Sequence, residues 1–233
     1  LYVMRDKTFM ENLIRRAQQA NCSALVVTLD LQVMGQRHRD IKTGLSAPPK
    51  PTLGNLLNLA TKPHWCWQMA QTQKRTFRNI VGHAQGVTDV SSLAAWTAEQ
   101  FDPRLNWDDV KRIKELWGGK LVLKGVMEPE DARMAAESGA DALVVSNHGG
   151  RQLDGAPSSI KVLPDIVSAV GKDIEVWMDG GIRSVQFLYS LGAAGEAGVT
   201  KCLQMLAKEL DLTMAFCGHN DINKVDASIL RRA

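Results

Sequence analysis

The sequence predicts an α/β protein, a (βα)8 TIM barrel of which about five of the eight strands lie in this chain. A four-residue apolar core, Ala-Leu-Val-Val, occurs at residues 24–27 and again at 142–145. Each core is followed by a hydroxyl and then by an ionisable group: Thr28 and Asp30 in the first unit, Ser146 and His148 in the second. Strand side chains alternate with period two, so each pair shares one face. Polar groups at the carboxyl ends of repeated βα units are typical of a TIM barrel, whose active site is built there.

Residues 1–30 predict a strand end, a helix and a second strand. Leu1 to Val3 has the apolar character of a strand. Asp6 is a suitable N-cap for a helix that runs through Ala20. The apolar face of this helix consists of four residues: Phe9, Leu13, Ile14 and Ala17. The core at 24–27 is then the second strand.

Residues 106–233 predict further strands and helices around the second Ala-Leu-Val-Val core. Asn106, followed three residues later by Asp109, indicates a helix start, and the glycines after Trp117 indicate its end. In chain order the elements are a helix at 106–117, a strand at 121–123 closing with Lys124-Gly125, a helix at 129–138, the strand at 142–145, a strand at 175–178, and helices alone at 187–233.

Composition excludes several classes of protein. The chain has 233 residues, 45% of them hydrophobic, which is enough for one sizeable domain with a core. A net charge of +3 is too small to indicate a nucleic-acid partner. The four cysteines form no C-x-x-C pair and no zinc-like spacing with the five histidines, so no metal site is predicted. The sequence shows neither a signal peptide nor an apolar run near the roughly 18 residues of a membrane span, which predicts a cytoplasmic protein.

Residues 146–155, Ser-Asn-His-Gly-Gly-Arg-Gln-Leu-Asp-Gly, directly follow the strand at 142–145. A hydroxyl, an imidazole and a guanidinium separated by glycines pack poorly, and glycine lets the backbone approach a ligand closely. The functional interpretation is a catalytic base, His148, with an anion clamp, Arg151, three residues later. The structural alternative is a polar turn with a stray histidine. That alternative suits a lone histidine better than it suits the whole decapeptide.

This decapeptide closely resembles the active-site signature of the FMN-dependent L-2-hydroxy acid dehydrogenases and oxidases. The similarity runs through nearly the whole chain and is closest to the respiratory, L-lactate-oxidising members. It implies FMN as cofactor and a single, incomplete FMN-binding barrel domain over residues 1–233. It also implies two strands before Leu1, and a helix and the eighth strand between Gln186 and Phe187. We therefore expect this chain to be the retained part of a longer one, with a spatial gap between Gln186 and Phe187.

The catalytic residues follow from the chemistry of oxidising a 2-hydroxy acid. No side chain accepts two electrons reversibly, so a cofactor must. Imidazole is suited to proton transfer near neutral pH, which makes His148 the candidate base, and Asp30 could stabilise the imidazolium. Arg151 offers a bidentate fork for the substrate carboxylate, Arg37 is a second clamp, and Tyr2 can hydrogen-bond the substrate oxygen. In the family that the chain resembles, the matching positions hold these roles.

Six residues are candidates for binding FMN. Lys124, at a strand end, would place a positive charge beside the flavin, although a surface lysine in a βα turn is the commoner situation. Asp179-Gly180-Gly181 on its own is equally well a tight turn. The resemblance implies the full set: Lys124, Thr28 and Ser146 at the flavin, Asp179 at the ribityl chain, and Gly181 and Arg183 at the phosphate.

Residues 31–103 leave the βα rhythm, and their segment 41–88 is basic and amphipathic. It contains no acidic residue, and its lysines and arginines are interleaved with leucine and tryptophan. This composition is typical of a helix that lies on an anionic bilayer. The alternative is a lid or an oligomer contact that packs its own apolar residues. The resemblance favours the membrane, because respiratory members of the family use an insertion here to reach the membrane and its quinone.

The sequence therefore predicts FMN-dependent oxidation of an L-2-hydroxy acid, L-lactate to pyruvate, with electrons passed to a quinone or similar acceptor. The enzyme would be a homo-oligomer, peripheral on the inner face of the cell membrane, with no nucleic-acid partner and no metal. One alternative is a soluble 2-hydroxy acid oxidase of the glycolate or mandelate type, which produces hydrogen peroxide. The other is an inactive fragment of such an enzyme.

Overall fold

The computed structural model describes residues 1–32, 42–44, 52–72, 77–84, 86, 87, 92, 96, 99–153, 155–180 and 186–226, the last range without the side chains of 186–188. The chain divides into two compact units, Leu1–Gly181 and Ile182–Ala233, which are described separately. The single domain over residues 1–233 stays a prediction.

The first unit is organised around a four-stranded parallel sheet. Its strands are β1 (Ala24–Thr28), β2 (Lys120–Val126), β3 (Ala142–Val145) and β4 (Glu175–Met178), in the spatial order β1-β2-β3-β4. Every pair is parallel, and Thr28, Lys124, Val144 and Trp177 form one row of register partners. Sequential parallel strands of this kind are how a TIM barrel is wound, so the predicted fold class is confirmed.

Leu1 to Val3 does not form the fifth predicted strand. Tyr2 makes only an isolated parallel bridge with Thr28, and the backbone N–H of Thr28 donates to the carbonyl of Leu1 at 2.9 Å. Three residues that share a single bridge do not satisfy enough backbone groups to make a ladder. The prediction of five strands is therefore wrong by one, although these residues do lie beside β1.

The helices of the first unit begin and end largely at the predicted signals. Asp6 accepts a hydrogen bond from the backbone N–H of Phe9 at 2.9 Å. Asn106 and Asp109 form a capping box, and Gly118 ends that helix with φ of 68°. The described helices are α1 (Lys7–Gln19), α2 (Leu53–Ala60), α3 (Pro63–Gln71), α4 (Trp107–Trp117), α5 (Pro129–Glu137) and α6 (Ser159–Val170). Helix α6, which contains Pro164, is not among the predicted elements.

The hydrophobic core lies between the helices and one face of the sheet. The fully buried strand residues on this face are Val27, Leu121, Leu123, Leu143 and Val145, and they pack with helix residues that include Ile14, Val110 and Ile166. On the opposite face, Val122, Ala142 and Val144 form only a small cluster, and Trp177 is 48% exposed. In a closed barrel this opposite face is the interior. The sheet therefore corresponds to an opened part of a barrel wall.

The second unit is mainly helical, as predicted. Helix α7 (Gln186–Phe216) departs from helical geometry at Ala194 and Gly195, and a short 3-10 helix (Ile222–Lys224) follows. The predicted spatial gap between Gln186 and Phe187 is wrong. Both residues lie in the backbone of α7, where neighbours advance by about 1.5 Å along the axis.

Candidate active site

Polar residues lie at or just after the carboxyl end of each of the four strands, at one edge of the sheet. Asp30 comes two residues after β1, Lys124 lies near the end of β2, Ser146 and His148 follow β3, and Asp179 follows β4. Because the strands are parallel, their carboxyl ends meet at the same edge. We refer to these five residues as the strand-end cluster.

The centre of the cluster is a carboxylate–imidazole pair. His148 Nδ1 lies 3.1 Å from Asp30 Oδ1, and both side chains are 16% exposed. A carboxylate only accepts hydrogen bonds, so a hydrogen bond between these two groups requires the proton on Nδ1 and leaves Nε2 as the basic nitrogen of a neutral ring. This arrangement has the chemistry of a general base whose protonated form is stabilised by a neighbouring charge.

The backbone of His148 is strained, and its neighbours maintain that strain. His148 has φ of 56°, in the left-handed region that non-glycine residues rarely adopt. Gly149 and Gly150 continue in the same region, with φ of 69° and 71°. The N–H of His148 donates to Ser146 Oγ at 3.2 Å, and Asn147 Oδ1 accepts from the N–H of Gly150. Strain held in this way is concentrated at functional sites.

A second set of contacts joins three strands through Lys124. Lys124 Nζ donates to Ser146 Oγ at 2.9 Å and lies 3.2 Å from Asp179 Oδ2. Ser146 is fully buried, and its oxygen accepts from both Lys124 and the His148 N–H. The hydroxyl of Ser146 therefore connects the Lys124 ammonium group to the turn that contains His148.

Two carboxylate oxygens of the cluster are available to accept further hydrogen bonds. Asp30 Oδ2 and Asp179 Oδ1 are buried, and neither has a partner among the described residues. Buried polar atoms are nearly always paired, so such an atom indicates a missing donor. A bound molecule with hydroxyl or N–H groups would supply it.

The remaining predicted residues lie outside these contacts. Tyr2 is 42% exposed and pairs only through its backbone bridge with Thr28, which is partly buried at the end of β1. Arg151 follows the 3-10 turn that contains His148. Arg151 is exposed and makes no hydrogen bond or ion pair within the part of the chain that the structure describes. Arg37, Gly181 and Arg183 lie outside the described residues.

The sequence did not reveal two of the contacts at this site. The Lys124–Asp179 ion pair joins β2 to β4 across the end of β3, and sequence spacing alone does not show which strands lie side by side. Gly125 lies directly against Asp30, a contact for which the Lys124-Gly125 pair is only a weak signal. The roles of all the site residues remain predictions.

Parallel strands in sequential order, with polar groups at their carboxyl ends, are the arrangement of a βα-barrel protein. The chain belongs to the family of FMN-dependent dehydrogenases, whose model matches residues 1–186 and 185–232. It is 39% identical over 251 residues to the L-lactate dehydrogenase of Caulobacter sp. (strain K31), covering 100% of this chain and 66% of that relative. It is 42% identical over 252 residues to the L-lactate dehydrogenase of Caulobacter vibrioides (strain NA1000 / CB15N), covering 99% and 65%.

Two solved structures are also similar. The monotopic membrane protein (S)-mandelate dehydrogenase superposes with a TM-score of 0.91 at 29% identity, over 100% of this chain and 66% of that one. Mandelate oxidase with (S)-4-hydroxymandelic acid gives a TM-score of 0.71 at 34% identity, over 94% and 61%. The chain thus spans about two thirds of the length of the relatives it matches. The family resemblance is confirmed, and FMN is the cofactor of that family.

The strand-end cluster has groups that fit FMN. Lys124 would supply a cation for a ring that becomes anionic on reduction, and Asp179 Oδ1 is a buried acceptor suited to a ribityl hydroxyl. The described residues contain no group of three or more histidine, cysteine, aspartate or glutamate side chains arranged to hold a metal ion. None of the helices in the described ranges has the length and apolar character needed to span a bilayer.

Proposed function

We propose that the protein oxidises an L-2-hydroxy acid to the 2-oxo acid with FMN as cofactor, and that the acid is L-lactate. The observation that carries this proposal is the pair of Asp30 and His148, 3.1 Å apart, at the same sheet edge as the Lys124 cation. A base and a cation at the carboxyl ends of barrel strands are what flavin-dependent oxidation of a small acid requires. The L-lactate dehydrogenase relatives support the choice of substrate.

The proposed reaction removes one proton and one hydride equivalent from the substrate. His148 takes the proton on Nε2, and the carboxylate of Asp30 stabilises the resulting imidazolium through the Nδ1 hydrogen bond. FMN, when bound, would accept the hydride equivalent, which is the two electrons together with the second hydrogen. The strained turn at His148 keeps the ring oriented before the substrate arrives, which reduces the entropy lost on reaching the reactive geometry.

Binding of the substrate carboxylate is assigned to Arg151 and Arg37. Arg151 is exposed, lies three residues after His148, and has no partner in the described ranges, so its planar fork is available for a bidentate contact. Arg37 is proposed as the second clamp, and Tyr2 as the hydrogen-bond partner of the substrate oxygen.

The decisive experiment follows the flavin spectrum. The purified full chain is supplied with FMN, tested for a flavin absorbance band, and then mixed anaerobically with L-lactate, glycolate or mandelate. We expect FMN to bind and L-lactate to bleach the band fastest. A chain that folds but binds no FMN would contradict the proposal and favour an inactive fragment.

The base is tested by His148→Gln. Glutamine keeps a polar side chain of similar reach but cannot take the proton, so turnover should fall by about 10²–10⁴-fold while FMN affinity changes little. Loss of FMN by a folded variant would contradict the assignment of His148 as the base.

A quinone or similar carrier, at the membrane, is the proposed acceptor. Helices α2 and α3 bury none of their residues, and Leu57 and Trp67 are 63% and 64% exposed. Exposed leucine and tryptophan beside a lysine such as Lys62 favour an anionic bilayer surface. The monotopic description of the mandelate dehydrogenase structure supports this choice.

The rival, an oxidase, is favoured by the mandelate oxidase structures, and peroxide formation during lactate turnover would identify it.

A further inference from the structure

Gly125 occupies a bulge in β2 next to the base-bearing site. Lys124 pairs with Val144 and Val126 pairs with Val145, so Gly125 is an extra residue in the ladder. Its φ is 105°, a conformation that L-residues rarely adopt. Bulges of this kind are enriched beside active sites, where they redirect a strand or a side chain.

The Asp30 side chain lies directly on the backbone of Gly125. A Cβ atom added to Gly125 would meet Asp30 Cγ at 2.8 Å, Asp30 Cβ at 2.9 Å and the Asp30 nitrogen at 3.1 Å. All three separations are shorter than ordinary contacts, so a side chain at Gly125 would displace Asp30. The backbone before Asp30 has little room to move, because the N–H of Leu29 donates to the carbonyl of Lys124 at 2.8 Å.

We propose that Gly125 is a positioning residue: the missing side chain at this bulge is what allows the Asp30 carboxylate to reach His148. The inference rests on the proposed function, in which that carboxylate stabilises the protonated base. Any side chain at residue 125 would move Asp30 and lengthen the 3.1 Å contact to Nδ1. Gly125 acts only through Asp30.

Two other glycines separate this role from simple backbone strain. Gly118 and Gly139 also have positive φ, 68° and 78°, but an added Cβ would meet no atom within 4 Å at either. Alanine at these positions therefore introduces a conformational cost without a contact. The matched set is Gly125→Ala against Gly118→Ala and Gly139→Ala.

The first readout is nuclear magnetic resonance of the histidine rings in the full chain without FMN. The proton on His148 Nδ1 that is bound to Asp30 is assigned by its loss in His148→Gln. We expect this signal to be lost in Gly125→Ala, as in Asp30→Ala, and to persist in both control variants. Persistence in Gly125→Ala would overturn the proposal. Because no turnover is measured, a failure of the proposed function would not be mistaken for a failure of this one.

The second readout is kinetic. In the FMN-loaded chain, Gly125→Ala should lower kcat by about 100-fold, the effect expected of a misplacement near 1 Å, with KM changed by less than about threefold. In an Asp30→Asn background the same substitution should cost less than about twofold, because no carboxylate remains to be displaced. Equal losses in both backgrounds would overturn the proposal.

A folding failure of Gly125→Ala is also informative. The double variant Gly125→Ala with Asp30→Gly removes both side-chain atoms that the new Cβ would strike. Recovery of a cooperative thermal transition in the double variant would support the contact as the cause. Continued failure would assign the requirement for glycine to backbone conformation alone and overturn the proposal.

Discussion

Ser146 links the Lys124 side chain to the turn that contains His148. Its oxygen accepts hydrogen bonds from the Lys124 ammonium at 2.9 Å and from the backbone N–H of His148 at 3.2 Å. The residue is fully buried, so water cannot replace either bond. A single hydroxyl therefore stabilises both a charged side chain and a strained backbone.

Replacing Ser146 by alanine tests this linkage. We expect Ser146→Ala to lower the free energy of unfolding by about 1–3 kcal/mol, because it leaves two donors without their acceptor. Turnover should fall as well, since the turn that carries His148 loses a restraint. Urea unfolding and steady-state kinetics measure the two effects.

Ser138 provides the matched control. It is also buried, but its hydroxyl makes one hydrogen bond, to the carbonyl of Ala135 at 2.7 Å, at the end of α5 that precedes β3, whereas Ser146 follows β3. Ser138→Ala should affect stability alone. A similar fall in turnover for both variants would contradict the special role of Ser146.

Arg151 should contribute to substrate binding rather than to proton transfer. Arg151→Lys keeps the charge but loses the planar fork, so KM for L-lactate should rise about tenfold with a smaller change in kcat. Arg133→Lys is the control, because Arg133 is exposed and pairs with Glu130 on the same helix. An unchanged KM in Arg151→Lys would remove Arg151 from the carboxylate site.

At the residue scale, the sequence predicts which positions are equivalent, but not which side chains bond to each other. Period-two alternation after an apolar core is enough to indicate that Asp30 and His148 are equivalent positions of repeated units. The bond between Lys124 and Ser146 depends on which strands are neighbours and in which register, and long-range packing decides both.

At the element scale, local signals predicted the helices best. The capping box at Asn106 and the left-handed Gly118 bound α4 because each satisfies backbone groups within a few residues. The β2 bulge was not predicted, since a glycine in a strand end is equally consistent with a turn. Leu1 to Val3 forms only a bridge, because apolar character favours a strand but does not by itself provide a neighbouring strand to pair with.

One ion pair ties α4 to the starts of β2 and β3. Asp141 accepts from Lys114 Nζ at 2.7 Å and from the N–H of Leu121 at 2.9 Å. The hydrogen bond from Lys114, and then that from Leu121, hold the pKa of Asp141 below its usual value. A carboxylate with a lowered pKa stabilises the fold above the usual pKa, near 4, and this contribution is lost as the pH falls further.

Asp141→Asn should therefore destabilise the protein in a pH-dependent way. At pH 7 we expect a loss of about 1 kcal/mol, a modest value because the carboxylate is 42% exposed and screened by solvent. The difference from the parent should shrink as the pH is lowered from 5 to about 3. Urea unfolding across this range measures it, and a constant difference would contradict the assignment.

At the scale of the whole molecule, the described helices of the first unit cover one face of the sheet. The helices bury Val27, Leu123 and Leu143, while Trp177 on the other face is half exposed. The sequence could not show this asymmetry, because strands of a parallel barrel are apolar on both faces. The share of its relatives that the chain covers, 66% and 65%, agrees with an incomplete wall.

The proposed membrane contact also belongs to the scale of the whole molecule. We expect the chain to sediment with vesicles that contain anionic lipid, and less so as salt is raised. Leu57→Glu combined with Trp67→Glu should weaken partitioning by at least about 100-fold, since each side chain contributes roughly 1.5–3 kcal/mol when buried in lipid.

The control for vesicle binding is Ile160→Glu on α6. Ile160 is 60% exposed, comparable to Leu57, but lies outside the basic segment. The Ile160→Glu substitution should leave sedimentation with the vesicles unchanged. If all variants bind vesicles equally, α2 and α3 do not contact the bilayer.

The Lys124–Ser146 hydrogen bond has a consequence for assembly of the barrel wall. It forms only when β2 and β3 are aligned as observed, since sliding β3 by one residue would turn Ser146 toward the helices and present Val145 instead. The buried hydroxyl thus penalises the misaligned pairings that two apolar strands would otherwise tolerate. The proposed chemistry and the alignment of the two strands therefore depend on the same few atoms.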